Sequence, residues 1–436
     1  MSIISSGKGK HPKNQAVADT GERPYKIVYV ILCLAALTFT AYQLFLALEL
    51  SSYHGGDYRV FAGAIQALDH MQNPYILENI KQYNGGTNLM FVYPPHTLYF
   101  FWLLDFFSVF RSITIYYVLL VGLMIISGYL VLTLDQKPHY LFLTTLLLTG
   151  FMATFWNFLT GNKDILFLFL FAVIFTLLVK EKYWQSSIVM GLAAAVTLET
   201  GPFVVLYLVV KRQILNRLAY IILSIGVVSG LFLVSYCLNP SFLVSYIGTL
   251  RGSSSPFFET GGWNTPTPYL MFNALLKSVS PRNIFPLVIV SCVYIFLILY
   301  ATWTYYLKHK DDTLKMYSLV MLSIFMILPR IKPYNFIILI IPLYFLFKDC
   351  SYRIKSLALV VISLYPIFIW VGRSPDLNIS GFGLPFLLGV YTQAYSLILI
   401  FLVVILYDYF TTASNEDKTG GEKSGGGDAL LEYPAS

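Results

Sequence analysis

Long apolar runs alternate with short polar breaks along almost the whole chain. Most runs approach the roughly 20 residues that an α-helix needs to cross the hydrocarbon core of a bilayer. The pattern therefore predicts an all-α polytopic membrane protein. About twelve spans are predicted, near residues 27–48, 91–110, 113–134, 139–158, 164–179, 186–210, 217–237, 284–307, 314–329, 334–348, 354–371 and 385–410.

Two long hydrophilic stretches, 49–90 and 238–283, interrupt the apolar pattern. Both ends of the chain, 1–25 and 411–436, are polar and are predicted to be disordered and cytoplasmic, because they hold too little apolar surface to build a core. One transmembrane bundle, 26–410, is predicted between these ends.

Composition supports a membrane environment and excludes a water-soluble core. Hydrophobic residues make up 57% of the chain and charged residues only 12%, against about 25% charged residues in soluble domains. The net charge of +7 does not indicate nucleic-acid binding, because the Lys and Arg residues lie in short clusters between apolar runs. The cysteines have no paired spacing that would indicate a disulfide framework or a metal site; they are Cys33, Cys237, Cys292 and Cys350.

The distribution of Lys and Arg predicts the orientation of the bundle. Basic clusters favour the cytoplasmic side, and they occur in the N-terminal stretch and at 211–217, 308–312 and 348–355. Both long hydrophilic stretches and residues 329–335 then face outward. The charges between the second and sixth runs are too even to fix the orientation there.

The stretch Tyr53–Tyr75 has helical periodicity directly after the first span. From Asp57 onward one face collects four apolar residues, namely Tyr58, Phe61, Ile65 and Leu68. This pattern predicts an interfacial helix on the outer leaflet, ended by the Asn-Pro-Tyr sequence. Asp57 lies at its N-terminus, either as a simple helix cap or as a functional carboxylate at the edge of the bilayer.

Polar residues at the ends of later runs are further candidates. Tyr93 and His96 flank paired prolines, which fits either an aromatic belt or a site. Asn162 lies in a polar break that is typical of a short loop. Glu199 interrupts an apolar run, where an ionisable side chain is costly and usually faces a cavity.

The outward loops supply the remaining candidates. Trp263 and Asn264 lie in a turn-rich segment, where Trp263 could stack on a sugar or belong to the aromatic belt. Arg330 and Lys332 lie on the side that the positive-inside rule disfavours for cations. Such a placement indicates an anionic partner, either a phosphate ligand or lipid headgroups.

The order of several short motifs resembles a known family. The motifs are DYRVF (57–61), NPY (73–75), YPP (93–95), GNKDIL (161–166) and GLAAAVT (191–197). In this order they resemble glycosyltransferase family 87, the polyprenol-phosphate-mannose-dependent mannosyltransferases of the GT-C superfamily. The resemblance extends over roughly residues 27–350.

The resemblance implies a GT-C type helix bundle with outward juxtamembrane helices and an aspartate general base, which corresponds to Asp57. It implies site positions at Tyr93, Asn162 and Asn264. This chain departs from the family at Glu199, where a lysine is usual.

A second departure concerns a late family motif with a histidine near the site. Here Tyr334 or Asn335 takes the place of that histidine, and Arg330 and Lys332 could bind the donor phosphate.

The implied reaction is transfer of a sugar, mannose in the family, from a polyprenyl-phosphate donor to a lipid or glycan hydroxyl on the outer face of the cell membrane. Inversion at the anomeric carbon is expected, with membrane lipids as surroundings and no cofactor, metal or nucleic acid. A secondary transporter or lipid flippase is the alternative, with Asp164 and Glu199 as a relay. The sequence shows no inverted repeat to support it.

Overall fold

The computed structural model describes residues 13–50, 55–83, 89–251, 265–279, 285–364 and 391–423. These residues form helices and contain no extended strand. The α-helices are α1 (Lys13–Leu50), α2 (Gly56–Asp69), α3 (Leu77–Tyr83), α4 (Pro95–Asp105), α5 (Ile113–Thr133), α6 (Tyr140–Thr149), α7 (Ala153–Thr160), α8 (Asp164–Val179), α9 (Tyr183–Val196), α10 (Ile214–Leu238), α11 (Pro240–Arg251), α12 (Pro268–Val279), α13 (Phe285–His309), α14 (Thr313–Ile327), α15 (Ile340–Phe347), α16 (Tyr352–Ile362) and α17 (Thr392–Lys423). The 3₁₀-helices are Gly150–Met152, Leu198–Val209 and Pro333–Leu339.

Six helical segments of the described chain are long and apolar enough to cross a membrane. They are Glu22–Phe45, Ile113–Thr133, Tyr140–Thr160, Ile214–Leu238, Phe285–His309 and Thr392–Thr411. Shorter apolar helical segments lie at Asp164–Val179, Leu198–Val209, Thr313–Ile327 and Pro333–Phe347. A multi-pass helical membrane protein is therefore confirmed, while the count of twelve spans stays a prediction.

The apolar run at 91–110 does not form the span that its length predicted. Its helix α4 has 11 residues, about 16 Å at 1.5 Å per residue. The Trp102 side chain of α4 donates a hydrogen bond to Asp69 at the end of α2 (2.8 Å). Near the other end of α4, His96 contacts the carbonyl of Ala195 (2.7 Å). The chain turns after Asp105, whose carboxylate accepts a bond from the backbone N–H of Phe110 (2.9 Å).

The apolar run at 186–210 forms two antiparallel pieces instead of one span. Thr197 has extended backbone angles (φ −145°, ψ 122°) and separates α9 from the 3₁₀-helix Leu198–Val209. The hydroxyl groups of Ser186 and Tyr207 lie 2.9 Å apart in the interior. The start of α9 is therefore beside the end of the 3₁₀-helix, and Thr197 is at the reversal.

The span at Tyr140–Thr160 contains a break. Phe151 and Met152 adopt left-handed angles (φ 51° and 54°) between α6 and α7. The Gln393 side chain of α17 donates a hydrogen bond to the Phe151 carbonyl (2.9 Å), so a backbone acceptor exposed by the break is satisfied within the bundle, as an apolar environment requires.

The turns between successive helices gather at two ends of the bundle. One end, called here the basic end, contains the turns 134–139, 180–182, 210–213, 310–312 and 348–351. Ion pairs connect these turns, including Lys348 with Asp135 (3.2 Å), Arg212 with Glu181 (2.6 Å) and Lys211 with Asp311 (3.7 Å). The opposite end, called the cleft end, contains the turns 161–163, 197 and 328–332 and the N-terminus of α2.

The ends of the described chain are helical. Helix α1 begins at Lys13 and α17 continues to Lys423, so helix extends into both terminal stretches for which disorder was predicted.

Candidate active site

Asp57 lies in the first turn of α2, as the periodicity predicted. Its carboxylate accepts a hydrogen bond of 2.8 Å from the side-chain amide of Asn162. This bond joins the first hydrophilic stretch to the turn between α7 and α8. Two residues that are 105 positions apart in the sequence therefore meet at the cleft end.

Two glycines allow this close approach. Gly55 and Gly161 both have left-handed backbone angles (φ 70° and 68°), and the Gly55 N–H donates to the Leu159 carbonyl (2.9 Å). A Cβ atom on Gly161 would lie 2.6 Å from Cβ of Tyr58. Only glycine combines this angle with this contact, so Gly161 fixes the distance between α2 and the turn that carries Asn162.

Replacing Gly161 by alanine is expected to separate Asp57 from Asn162. A left-handed non-glycine residue costs about 1–3 kcal/mol, and a shift of about 1 Å at a reacting group can lower a rate about 100-fold. We expect Gly161→Ala to lower both the thermal unfolding midpoint and the rate of any reaction that uses the Asp57–Asn162 pair. Gly122→Ala is the control, because a Cβ there meets nothing within 4 Å and alanine favours a helix. Equal behaviour of the two variants would contradict the proposed close contact.

Helix α2 is packed on more than its predicted apolar face. Val60, Ala64 and Ala67 are buried in addition to the predicted stripe, while Arg59 and Asp69 remain exposed. The buried surface of α2 is therefore wider than the predicted apolar stripe, and its place at the membrane interface stays a prediction. The helix contacts α3, α4 and α7, which cover it, so Asp57 begins a helix that is built into the bundle.

A buried ion pair lies next to Asn162. Lys163 and Asp164 are 4% and 1% exposed, and their charged groups are 3.3 Å apart. Asn335 donates a hydrogen bond to the other carboxylate oxygen of Asp164. The Lys163 ammonium also lies 4.2 Å from the ring centre of Tyr93, a distance at which a cation is attracted to the ring face.

A cleft of about 640 Å³, including its opening to solvent, lies at this end of the bundle. Asp57 does not line the cleft, but its charge interacts with three lining residues, Tyr93, Lys163 and Tyr334. The cleft is lined by Val92, Tyr93, Pro94, Lys163, Asp164, Val196, Thr197, Leu198, Glu199, Tyr246, Leu250, Arg330, Tyr334 and Asn335.

Arg330 and Glu199 form an ion pair in the wall of this cleft. The two side chains are partly accessible, at 21% and 29%. Glu199 lies in the first turn of the 3₁₀-helix that follows Thr197, so it is at the end of an apolar run and not inside one. The expectation that it faces a cavity is confirmed.

Burial changes the acidity of the two ionisable groups nearest to Asn162. It raises the pKa of the Asp57 carboxyl above its usual value of 3.8, although the hydrogen bond from Asn162 acts in the opposite direction. Burial also lowers the pKa of Lys163, against the opposing effect of the Asp164 charge. Asp57 is therefore a stronger base than an exposed aspartate.

The structure brings together five of the predicted site residues beside Asp57. Asn162 contacts Asp57, and Tyr93, Arg330, Tyr334 and Asn335 line the cleft.

Two predicted residues lie elsewhere among the described residues. The ring nitrogens of His96 contact Ser235 (3.2 Å) and the Ala195 carbonyl, which is a contact between helices. Lys332 begins the 3₁₀-helix Pro333–Leu339, where its backbone N–H donates to Asn335 (2.6 Å), and it is not among the residues that line the cleft. Trp263 and Asn264 are outside the described residues.

The sequence-based choice of site residues omitted three charged members of the cleft. Lys163 and Asp164 resembled an ordinary polar loop because two opposite charges are adjacent there. Glu199 was noted only as an ionisable residue in an apolar run. The shared signal is a charge at the boundary of an apolar run, and this signal also occurs in turns without a site.

An all-helical membrane bundle with a carboxylate and buried cations at one end defines an integral membrane protein with a polar reaction or binding site. The family model of glycosyltransferase family 87 matches residues 91–329, more than half of the chain. The chain belongs to this family, which makes it a membrane glycosyltransferase. Arg330 directly follows the matched residues, and Asp57 lies well before them. A search of curated proteins finds no match.

Proposed function

We propose that the protein transfers a sugar from a polyprenyl-phosphate donor to an acceptor hydroxyl, with Asp57 as general base. The main observation that supports this proposal is the Asp57–Asn162 pair, which lies beside a cleft whose wall contains Lys163 and Arg330. Mannose is the sugar that the resemblance implies, and a lipid or glycan is the acceptor.

The proposed step is a single displacement at the anomeric carbon. The acceptor oxygen forms a bond to that carbon while Asp57 takes the hydroxyl proton. The bond between the anomeric carbon and the donor phosphate oxygen breaks, and the polyprenyl phosphate leaves with the electron pair. Attack from the face opposite the phosphate inverts the configuration. Asp57 then loses its proton to water.

The charges in the cleft support a phosphate leaving group. Negative charge develops on the donor phosphate as the bond breaks, and fixed cations lower the energy of that state. Arg330 offers planar donors that suit phosphate oxygens, and Lys163 adds a second positive charge. Tyr93 and Tyr246, in the same lining, offer aromatic faces beside these cations.

The charge distribution supports a site on the extracytoplasmic side of the cell membrane. Basic residues in short loops favour the cytoplasm. The turns of the basic end contain seven of them, Lys137, Lys180, Lys182, Lys211, Arg212, Lys310 and Lys348. The cleft-end turns 161–163, 197 and 328–332 contain three, Lys163, Arg330 and Lys332, and two of these line the cleft. The turn between α4 and α5 adds Arg111 at this end, because the adjoining Ile113 lies beside Gly55.

A transfer assay tests the function. Purified full-length protein in liposomes is given radiolabelled polyprenyl-phosphate-mannose and a membrane-lipid extract. We expect label to move into a new glycolipid product. Label that crosses the bilayer while still attached to its donor, with no new product, would instead favour the transporter alternative.

The pH dependence of transfer provides a second test. The base must be ionised, so kcat/KM should fall as the pH falls through the pKa of Asp57 in the free enzyme. Because burial raises this pKa above 3.8, the acidic limb should lie above that value. Activity that is undiminished down to about pH 4, close to the ordinary aspartate pKa, would contradict a general base with a raised pKa.

A further inference from the structure

The Arg330–Glu199 ion pair lies between two cavities. A second pocket, of about 300 Å³ including its opening to solvent, adjoins the cleft. The two share Asp164, Thr197, Glu199, Arg330 and Asn335 as lining residues, and the rest of the second pocket is lined by Thr200 and by phenylalanine and aliphatic side chains. The ion pair is therefore part of both walls, and a ligand that enters the cleft meets it.

A phosphate that binds Arg330 must compete with Glu199. The guanidinium group binds carboxylates and phosphates through the same planar set of N–H donors. The other carboxylate in this wall, Asp164, is fully buried and is already held by Lys163 and Asn335. Glu199 is more accessible, at 29%, and stands in the first turn after the extended Thr197. Glu199 is thus the carboxylate in this wall that can move away from its cation, Arg330.

We propose that Glu199 is an internal competitor for the phosphate of the donor. Its carboxylate holds Arg330 before the donor binds, gives up the guanidinium to the donor phosphate, and takes it back when the polyprenyl phosphate leaves. Glu199 is then a positioning residue that acts through Arg330, and it sets donor affinity and product release. This inference rests on the proposed function.

The size of the effect follows from the fraction of time that Arg330 is available. Apparent affinity falls in proportion to the competent fraction. If Glu199 holds Arg330 nine-tenths of the time, phosphate binding is weakened about tenfold. Glu199→Gln keeps the shape of the side chain but removes its charge. It should therefore strengthen phosphate binding by about this factor and make product inhibition stronger.

The test is a binding titration that needs no catalysis. A short-chain isoprenyl phosphate without sugar is titrated calorimetrically into the purified full chain. We expect binding about tenfold tighter for Glu199→Gln. Binding by Glu199→Asp should be intermediate, because its side chain is one methylene shorter and its ion pair with Arg330 is weaker. Glu181→Gln is the matched control, because Glu181 pairs with Arg212 (2.6 Å) at the basic end, and it should bind like the unmodified protein.

Arg330→Gln separates competition from simple repulsion. In that background the Glu199→Gln change should have no further effect, because the residue for which Glu199 competes is gone. Unchanged or weaker binding by both Glu199 variants would overturn the inference. The inference would also be overturned if Glu199→Gln still strengthened phosphate binding in the Arg330→Gln background. It would be overturned as well if no form of the protein bound the isoprenyl phosphate.

The two proposals fail in different ways. Tighter phosphate binding by Glu199→Gln, with no sugar transfer from any donor, would overturn the proposed function and support the role of Glu199 as a competitor for Arg330. The opposite result would be sugar transfer that depends on Asp57, with a donor KM and product inhibition that Glu199→Gln leaves unchanged. It would support the proposed function and overturn the role of Glu199 as a competitor.

Discussion

Replacing Asp57 by asparagine is expected to lower the sugar-transfer rate by about 10²–10⁴-fold, the usual contribution of a general base. Asparagine has nearly the same shape, and its carbonyl oxygen can still accept the hydrogen bond from Asn162. It cannot take the proton of the acceptor hydroxyl. The measurement is kcat in the liposome assay, with donor binding followed separately to show that substrate still enters.

Stability should respond to Asp57→Asn in the opposite direction from activity. Burial raises the pKa of Asp57, which means that the folded state disfavours the carboxylate relative to the unfolded chain. Above this raised pKa the ionised group therefore lowers stability, and the neutral amide removes that cost. We expect an equal or higher thermal midpoint for the variant in detergent.

Asp69→Asn is the matched control for this variant. Asp69 is on the same helix but exposed, and its carboxylate accepts the Trp102 bond that asparagine can also accept. We expect its transfer rate to stay within about twofold of the unmodified protein, as for most exposed substitutions. If Asp57→Asn kept more than a tenth of the activity, Asp57 would not be the base.

The first functional helix could be predicted because its information is local. The apolar spacing after Asp57 and the Asn-Pro-Tyr sequence identify a helix close to the observed Gly56–Asp69. Its burial could not be predicted in the same way. The helix contacts α3, α4 and α7, and the pattern of one segment does not report contacts with other elements.

The two apolar runs that do not form one long helix have a common physical reason. Apolar composition reports that a segment avoids water, but not how long its helix is. The 91–110 run is apolar and yet holds an 11-residue helix, because Pro94 and Pro95 set its start and Asp105 anchors the turn that ends it. In the 186–210 run, one extended residue, Thr197, reverses the chain.

Some residues of the cleft could be predicted from local features of the sequence, and others could not. Arg330 was chosen because a cation on the side that the positive-inside rule disfavours needs an explanation, and Asn162 because the family resemblance implies a site position there. Asp164 was not chosen, because its function depends on Asn335, which is 171 positions later in the chain. Lys163 and Asp164 look like solvated loop charges until the fold places Tyr93 and Asn335 over them.

The second large effect is expected from Lys163, on stability. Lys163→Met removes the positive charge 3.3 Å from Asp164 and leaves a carboxylate that is 1% exposed without its cation. Breaking a buried ion pair in this way costs about 3–5 kcal/mol, because the remaining carboxylate was taken out of water and loses the cation that contacts it directly. We expect a large fall in the thermal midpoint in detergent.

Two further variants test this explanation. In Lys163→Met with Asp164→Asn, neither charge of this buried pair remains and the amide oxygen can still accept the bond from Asn335, so most of the lost stability should return. Lys211→Met is the control, since its pair with Asp311 is exposed and such pairs contribute about 0–1 kcal/mol. If the double variant were as unstable as Lys163→Met, packing of the lysine side chain against Tyr93 and Phe167 would explain the loss better than the unpaired charge. Transfer activity should stay low in the double variant even when stability recovers, because the cation that is proposed to face the donor phosphate is absent.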